Sequence, residues 1–264
     1  MERGAPGVVL KKRGLEAYFA RSRDDAALKK DIRRFLAAIV RLSSNGGKPR
    51  LHWRVIGAEN WQSSWKRFIK PRRVGKSFWV TPPWLTPPKF RRRQVITIEP
   101  GMAFGTGTHA TTRGCLEFLE RVAESFSGRA FTALDVGTGA GILAIALVKL
   151  GAQKVWATDN DAVALEVARQ NLRSNSVADR VHLSGRRLSA IRRKFPVVVA
   201  NLTAETIEEL AGQLKRKVAA RGCLILSGIL HQKAGAVARR FAGGFRVLKR
   251  RRRQEWATLL LQRK

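Results

Sequence analysis

The 264-residue chain carries 52 Lys/Arg against 19 Asp/Glu, a net charge of +33, with 44% hydrophobic residues, a length that suits one well-buried α/β domain and a smaller companion. Two cysteines, Cys115 and Cys223, lie far apart in apolar contexts and argue against a disulfide framework or a metal site. No signal peptide opens the chain and no apolar run approaches the ~20 residues of a membrane span, so a cytoplasmic protein without membrane contact is expected.

Residues 1–60 read as a small α+β module. Leu15 to Ala20 has the pattern of a short strand, and Asp24 to Leu42 that of an amphipathic helix with Leu28, Ile32, Phe35, Leu36 and Ile39 on one face. The loop Ser43-Ser44-Asn45-Gly46-Gly47 then leads to a second strand, Leu51 to Ile56. The segment holds no catalytic constellation, and partner recognition is its expected use. Residues 61–97 form a basic connector: six of the nine prolines fall between Pro71 and Pro100, and five of the seven tryptophans between Trp53 and Trp84. Prolines stiffen such a segment, while the aromatics either pack it against the next domain or stack on bases between the cations.

From residue 98 the character changes. A glycine- and threonine-rich loop, Gly101 to Thr108, precedes His109-Ala110-Thr111-Thr112 and an amphipathic helix containing Cys115, Leu116 and Leu119. By composition it is a loop that covers a ligand. His109 stands where a general base could act or where a polar side chain caps a helix.

Residues 131–161 hold the main signal. The apolar run Phe131 to Val136 ends in Gly137-Thr138-Gly139-Ala140-Gly141, an apolar helix follows until Gly151, and a second strand, Val155 to Thr158, ends at Asp159. Glycines at a strand end let the backbone approach a ligand, and the next helix aims its unpaired N–H groups at the same place. An acid at the tip of the neighbouring parallel strand, here 22 residues beyond Gly137, can accept hydrogen bonds from a ribose diol. A nucleoside-containing cofactor is therefore expected, and Ile142 at the sixth position, where a dinucleotide fingerprint needs Gly or Ala, argues against NAD.

Downstream, Val197 to Ala200 reads as a buried parallel strand whose end carries Asn201, followed by a helix from Ala204 to Leu214 that Asn201 could cap. Cys223 to Ser227, Phe245 to Leu248 and Trp256 to Leu261 complete a seven-stranded sheet, with Lys249 to Arg253 as a basic loop in a final hairpin. Charge follows the same division. Residues 1–100 hold 24 Lys/Arg against 7 Asp/Glu, residues 101–185 hold 8 against 8, and residues 186–264 hold 20 against 4. Basic flanks around a neutral cofactor unit suit nucleic acid or a nucleic-acid-rich particle, or merely keep the surface solvated.

Several stretches together resemble one family. EPGMAFGTGTHATTRGCLEFLE, LDVGTGAGILAIALVKLGA, VVVANLTAETIEEL and LILSGIL look like successive motifs of the ribosomal protein L11 methyltransferase (PrmA) family, and WKRFIKPRRVGKSFWVTPPW is similar to its connector. The resemblance spans about residues 50 to 262. It implies a Rossmann-like class I methyltransferase domain over 98–264, with a mostly parallel seven-stranded sheet and a C-terminal antiparallel hairpin, and a substrate-recognition module over 1–60, read as shortened at its start. The cofactor it implies is S-adenosylmethionine, held by Thr112, Gly137, Gly139, Asp159 and Asn201, with Asn201 also at the methyl-transfer site and no metal. The substrate it implies is a large-subunit ribosomal protein, methylated on lysine side chains and the N-terminal amine, by an enzyme expected to be a monomer. Ribosomal RNA would be contacted through the basic flanks.

Two other readings stay open at this point. A ribosomal RNA methyltransferase would suit the charge, but adenine-directed enzymes of this fold carry Asn-Pro-Pro-aromatic where this chain has Asn201-Leu202-Thr203-Ala204. A non-catalytic nucleic-acid-binding protein would have no need of Gly137, Asp159 and Asn201 together.

Overall fold

The computed structural model describes residues 7–11, 14–19, 25–42, 50–54, 70–86, 93–99 and 109–264. Contacts divide the chain into two compact units, Met1–Ser63 and Ser64–Lys264.

In the first unit, β1 (Gly7–Lys11) and β2 (Gly14–Tyr18) form an antiparallel hairpin, and α1 spans Asp25–Leu42. Leu28, Ile32 and Leu36 are half-buried, as a shared apolar face requires, whereas Phe35 is 66% exposed; the side chain of Ile39 lies outside the described residues. The strand expected over Leu51 to Ile56 does not form within residues 51–54, and its last two residues, like the loop 43–47, lie outside the described residues. Alternating apolar residues make a strand only beside a partner edge. Here Trp53 instead takes the ammonium of Lys29 over its ring, 5.6 Å from the centroid.

The second unit is a sheet covered on both faces. Its strands are β6 (Phe131–Val136), β7 (Ala152–Thr158), β8 (Val181–Ser184), β9 (Phe195–Asn201), β10 (Val218–Leu230), β11 (Phe245–Arg253) and β12 (Trp256–Arg263), in the order β11-β12-β10-β9-β6-β7-β8. The five from β10 to β8 run parallel, and β12 is antiparallel to β10 and β11. This is the seven-stranded, mostly parallel sheet with a C-terminal antiparallel hairpin that the resemblance implies. Strands covered on both sides read as continuous apolar runs, and Val197 to Ala200 are all 1% exposed or less. One face is packed by α2 (Ala110–Glu124), α3 (Ile142–Lys149) and α4 (Ala162–Ser174), the other by α5 (Ala204–Lys217) and α6 (Ala234–Phe241). From Ile142 to Val148 every residue of α3 is buried, so this helix is apolar all round.

Residues read as connector contribute a second small sheet: β3 (Arg72–Val74) antiparallel to β4 (Phe78–Thr81), which pairs in parallel with β5 (Gln94–Thr97). Val74, Phe78, Val80 and Ile96 join the core of the α2–α3 side. Trp79 is 8% exposed and takes Arg73 over its ring, so it serves as a packing anchor; Trp61 and Trp65 lie outside the described residues. Glu120 of α2 fastens the β3–β4 turn by accepting from the backbone N–H of Lys76 (2.9 Å) and Ser77 (2.7 Å).

The expected basic loop Lys249 to Arg253 is instead strand. Its backbone pairs along β12 as far as Arg253 opposite Trp256, leaving only Gln254-Glu255 as the turn. A ladder asks nothing of exposed side chains, and cations on an edge strand discourage further pairing. Arg251 and Arg253 both engage Glu117 of α2.

Candidate functional site

Going from β6, the chain builds outward through β7 and β8 in one direction and through β9 and β10 in the other, so the order reverses between β6 and β9. Ligands of open α/β sheets bind at the carboxyl ends of strands at such a switch point. A cavity of about 400 Å³ opens there, lined among others by Thr112, Gly137, Gly139, Asp159, Asn201 and Trp256. All five residues expected at the cofactor site therefore meet in one cleft.

The glycine turn forms its near wall. Gly137 sits at φ +70°, and a Cβ there would meet Leu202 Cδ2 at 2.3 Å, so this position needs glycine on both counts. Asp159 braces the turn: Oδ2 accepts from the N–H of Gly139 (2.8 Å) and Oδ1 from that of Asp161 (3.1 Å). Each carboxylate oxygen has a second lone pair left for a ribose hydroxyl.

Asn201 ends β9 opposite Ser227 of β10. Its Nδ2 reaches toward Thr112 Oγ1 at 3.5 Å, a long contact, and its Oδ1 is buried with no hydrogen-bond partner. A buried acceptor without a donor is costly, which marks this atom as a place for a ligand's N–H. The capping alternative fails, because Thr203 caps α5 by accepting from Thr206 N. His109 in turn caps α2: its Nδ1 lies 2.7 Å from Thr111 Oγ1 and faces Thr111 N, and its ring meets Trp256 edge-on at 5.1 Å. The loop 100–108 lies outside the described residues.

Sequence reasoning missed Trp256, Leu202 and Gly228 in the wall and Ser227 beneath it. Ser227 Oγ donates to Thr111 O (3.2 Å) and lies 2.9 Å from Thr258 Oγ1, joining α2 to β10 and β12. A lone serine and glycine inside the apolar run LILSGIL were the available signal. Gly228 adopts φ +82°, and a Cβ there would fall 2.2 Å from the carbonyl oxygen of Leu202. Gly228→Ala must push Leu202, and with it Asn201, out of place. Turnover should fall at least ~10-fold, as misplaced reacting groups lose far more than packing alone suggests. The melting temperature should drop by roughly 5 °C. Unchanged kinetics in a folded variant would show that Asn201 tolerates the shift.

Beneath the turn, Asp135 is fully buried and accepts from Thr138 Oγ1 at 2.7 Å. Burial pushes its carboxyl from 3.8 up to about 7, with the hydrogen bonds from Thr138 and the Ala144 backbone opposing and the charge of Asp159 adding to it. The fold thus favours the protonated acid. Its ionisation costs stability progressively as pH rises from the unfolded value near 4 to about 7, and the cost is constant above that. Relative to Asp135→Asn, which cannot ionise, the protein should lose on the order of 3 kcal/mol between pH 4 and pH 7. Parallel stability curves in denaturant at the two pH values would refute this.

The comparisons with known proteins agree with the geometry. The family model for ribosomal protein L11 methyltransferase (PrmA) matches residues 5–264. The ribosomal protein L11 methyltransferase of Pelobacter propionicus is 40% identical over 251 residues, 94% of this chain and 81% of that protein. That of Geobacter sulfurreducens is 41% identical over 247 residues, 93% and 80%. A crystal structure of a ribosomal protein L11 methylase from Lactobacillus delbrueckii subsp. bulgaricus superposes with a TM-score of 0.67 at 31% identity, covering 74% of this chain and all of that one. The glycine turn, the acid beyond it and the orphaned amide oxygen fit S-adenosylmethionine, whose ribose diol and amino group supply the matching donors. The chain belongs to the ribosomal protein L11 methyltransferase (PrmA) family and is an S-adenosylmethionine-dependent methyltransferase.

Proposed function

We propose that the protein methylates amino groups of ribosomal protein L11, both lysine side chains and the N-terminal amine. The observation that carries this is Asn201 Oδ1, a buried acceptor without a donor at the switch point of the sheet. Gly137 and Gly139 hold the methionine part of the cofactor, Asp159 its ribose, and Thr112 steadies Asn201 from across the cleft. When bound, S-adenosylmethionine supplies an electrophilic methyl group on a sulfonium.

An amine attacks only when neutral, and a free lysine with a pKa near ~10.4 is deprotonated about one part in a thousand at neutral pH. Leu202, Ile142 and Trp256 line the cleft and withdraw the amine from water, which favours its neutral form. Asn201 Oδ1 accepts one N–H and so directs the nitrogen lone pair, while the displaced proton leaves to solvent. His109 spends its Nδ1 on the helix cap, so positioning, rather than a strong base, supplies most of the rate.

Residues 1–60 present the substrate, 61–97 link them to the methyltransferase domain over 98–264, and the basic flanks touch ribosomal RNA. The enzyme works as a monomer in the cytoplasm; among the described residues no helix is long and apolar enough to cross a membrane. The test is transfer from labelled S-adenosylmethionine to purified L11, to intact ribosomes and to protein-free ribosomal RNA, resolved by mass. Label on L11 amino groups is expected. Label on RNA alone would overturn the reading in favour of an RNA methyltransferase.

A further inference from the structure

The sheet carries a second cleft, away from the cofactor site, that the methyl-transfer chemistry does not use. Consecutive parallel strands here are joined by helices α3, α4 and α5, except at one crossover. Residues 185–194, between β8 and β9, hold only a single 3-10 turn at Leu188–Ala190. No helix therefore covers β7 and β8 on the α5–α6 face. Trp156 stands opposite His182 and Thr158 opposite Ser184, so their side chains share that face and floor a cavity of about 190 Å³ rimmed by Arg186, Arg192 and Arg193.

The floor is aromatic and its rim is cationic. Trp156 rests on Phe195, ring centroids 5.3 Å apart, with His182 beside it at 6.3 Å. The guanidinium of Arg193 lies over the Trp156 ring at 4.6 Å. That contact flattens Arg193 against the tryptophan and turns its outer face to solvent as a planar cation. Between Asp179 and Glu205 the chain has no acid but carries five arginines and a lysine. None of Arg186, Arg187, Arg192, Arg193 and Lys194 forms an ion pair among the described residues. Cations left unpaired beside a stacking platform are the arrangement that takes unstacked nucleotides: guanidinium planes and aromatic rings receive bases, and neighbouring arginines receive phosphates. An acidic polypeptide would answer the charge but leave the platform unused. The cavity is smaller than the ~300 Å³ or more that encloses a whole ligand, which suits a single base of a strand lying along the surface.

We infer that this cleft binds single-stranded RNA, with a base stacked on the Arg193–Trp156 pair and its phosphates on Arg186 and Arg192. The inference rests on the RNA contact proposed above and gives it an address. It is tested on the full-length protein by fluorescence anisotropy with a labelled 12-nucleotide single-stranded RNA, as a function of salt. Arg192→Ala/Arg193→Ala is compared with Arg250→Ala/Arg252→Ala on β11, which removes the same charge elsewhere. The cleft variant should bind at least ~10-fold more weakly at 0.1 M salt, with the log–log salt slope shallower by about 1.4 for two lost phosphate contacts. The β11 variant should lose less than ~3-fold, and both should keep full methyl transfer to L11. An abasic oligomer of equal charge should bind the wild type at least ~5-fold more weakly than RNA and should hardly distinguish Arg193→Ala from wild type.

Loss in the β11 variant alone would overturn the cleft and leave the general RNA contact standing. Equal losses in both variants would reduce the cleft to diffuse charge. Competition by a polyglutamate peptide as strong as by RNA would replace RNA with an acidic protein surface, and no RNA binding by the wild type would remove both the cleft and the contact.

Discussion

Asn201→Ala is expected to keep S-adenosylmethionine affinity within ~3-fold of wild type and to lower turnover by ~10²- to 10³-fold, the range seen when one preorganised polar group is removed from a reacting centre. The argument separates two roles that one residue could combine. The backbone of Asn201 belongs to the ladder with β10, and α5 is capped by Thr203, so truncation beyond Cβ disturbs neither. What is lost is the buried Oδ1, which no protein donor satisfies. Asn201→Asp sharpens the test, because it keeps an acceptor oxygen but adds a charge. That charge stabilises the ammonium form of the substrate, so the pH–rate profile should move toward higher pH with partial recovery of the limiting rate. Calorimetry gives the affinity and single-turnover labelling the rate. Full activity in the alanine variant would leave Asn201 as a packing residue, and the chemistry would have to be sought elsewhere in the cleft.

The site was legible in the sequence to the extent that its parts are local. Strand, glycine turn, helix and acid lie within Phe131 to Asp159, and each shapes its neighbours through backbone geometry that a single sequence records. The small sheet was not legible, because its support comes from far along the chain. Thr97 donates its N–H to Asn175 Oδ1 (2.9 Å) and accepts from Asn175 Nδ2 (2.6 Å), so a helix side chain stands in for a missing strand. Asn171, one turn earlier, accepts from Glu99 N (3.0 Å) and donates to Ala140 O (2.9 Å), tying the exit of β5 to the glycine turn. Asparagines at such spacing on a helix look like solvated polar positions until the partner is placed beside them. The same holds for Trp256 and Gly228, which reach the cleft only because β12 inserts antiparallel beside β10. The basic run at 249–253 misled for a related reason: charge density suggests a loop, whereas the ladder with β12 is set by backbone groups indifferent to it.

Asp159→Ala should weaken S-adenosylmethionine binding by at least ~10²-fold, since two charge-assisted hydrogen bonds at ~1.5–3 kcal/mol each would be lost. The loss alone does not reveal its cause, because Asp159 also accepts from the N–H groups of Gly139 and Asp161 and so shapes the turn. The two causes differ in what the ligand must possess. If the carboxylate holds the ribose diol, its removal should matter only to ligands that carry the diol. The comparison is therefore made with methylthioadenosine and its 2′,3′-dideoxy counterpart, measured by calorimetry on wild type and Asp159→Asn, which preserves the size of the side chain. The variant should bind the diol ligand ~10- to 100-fold more weakly than wild type does, and the dideoxy ligand about equally. Equal losses for both ligands would assign Asp159 to bracing Gly139 and would leave the ribose without a carboxylate partner in this cleft.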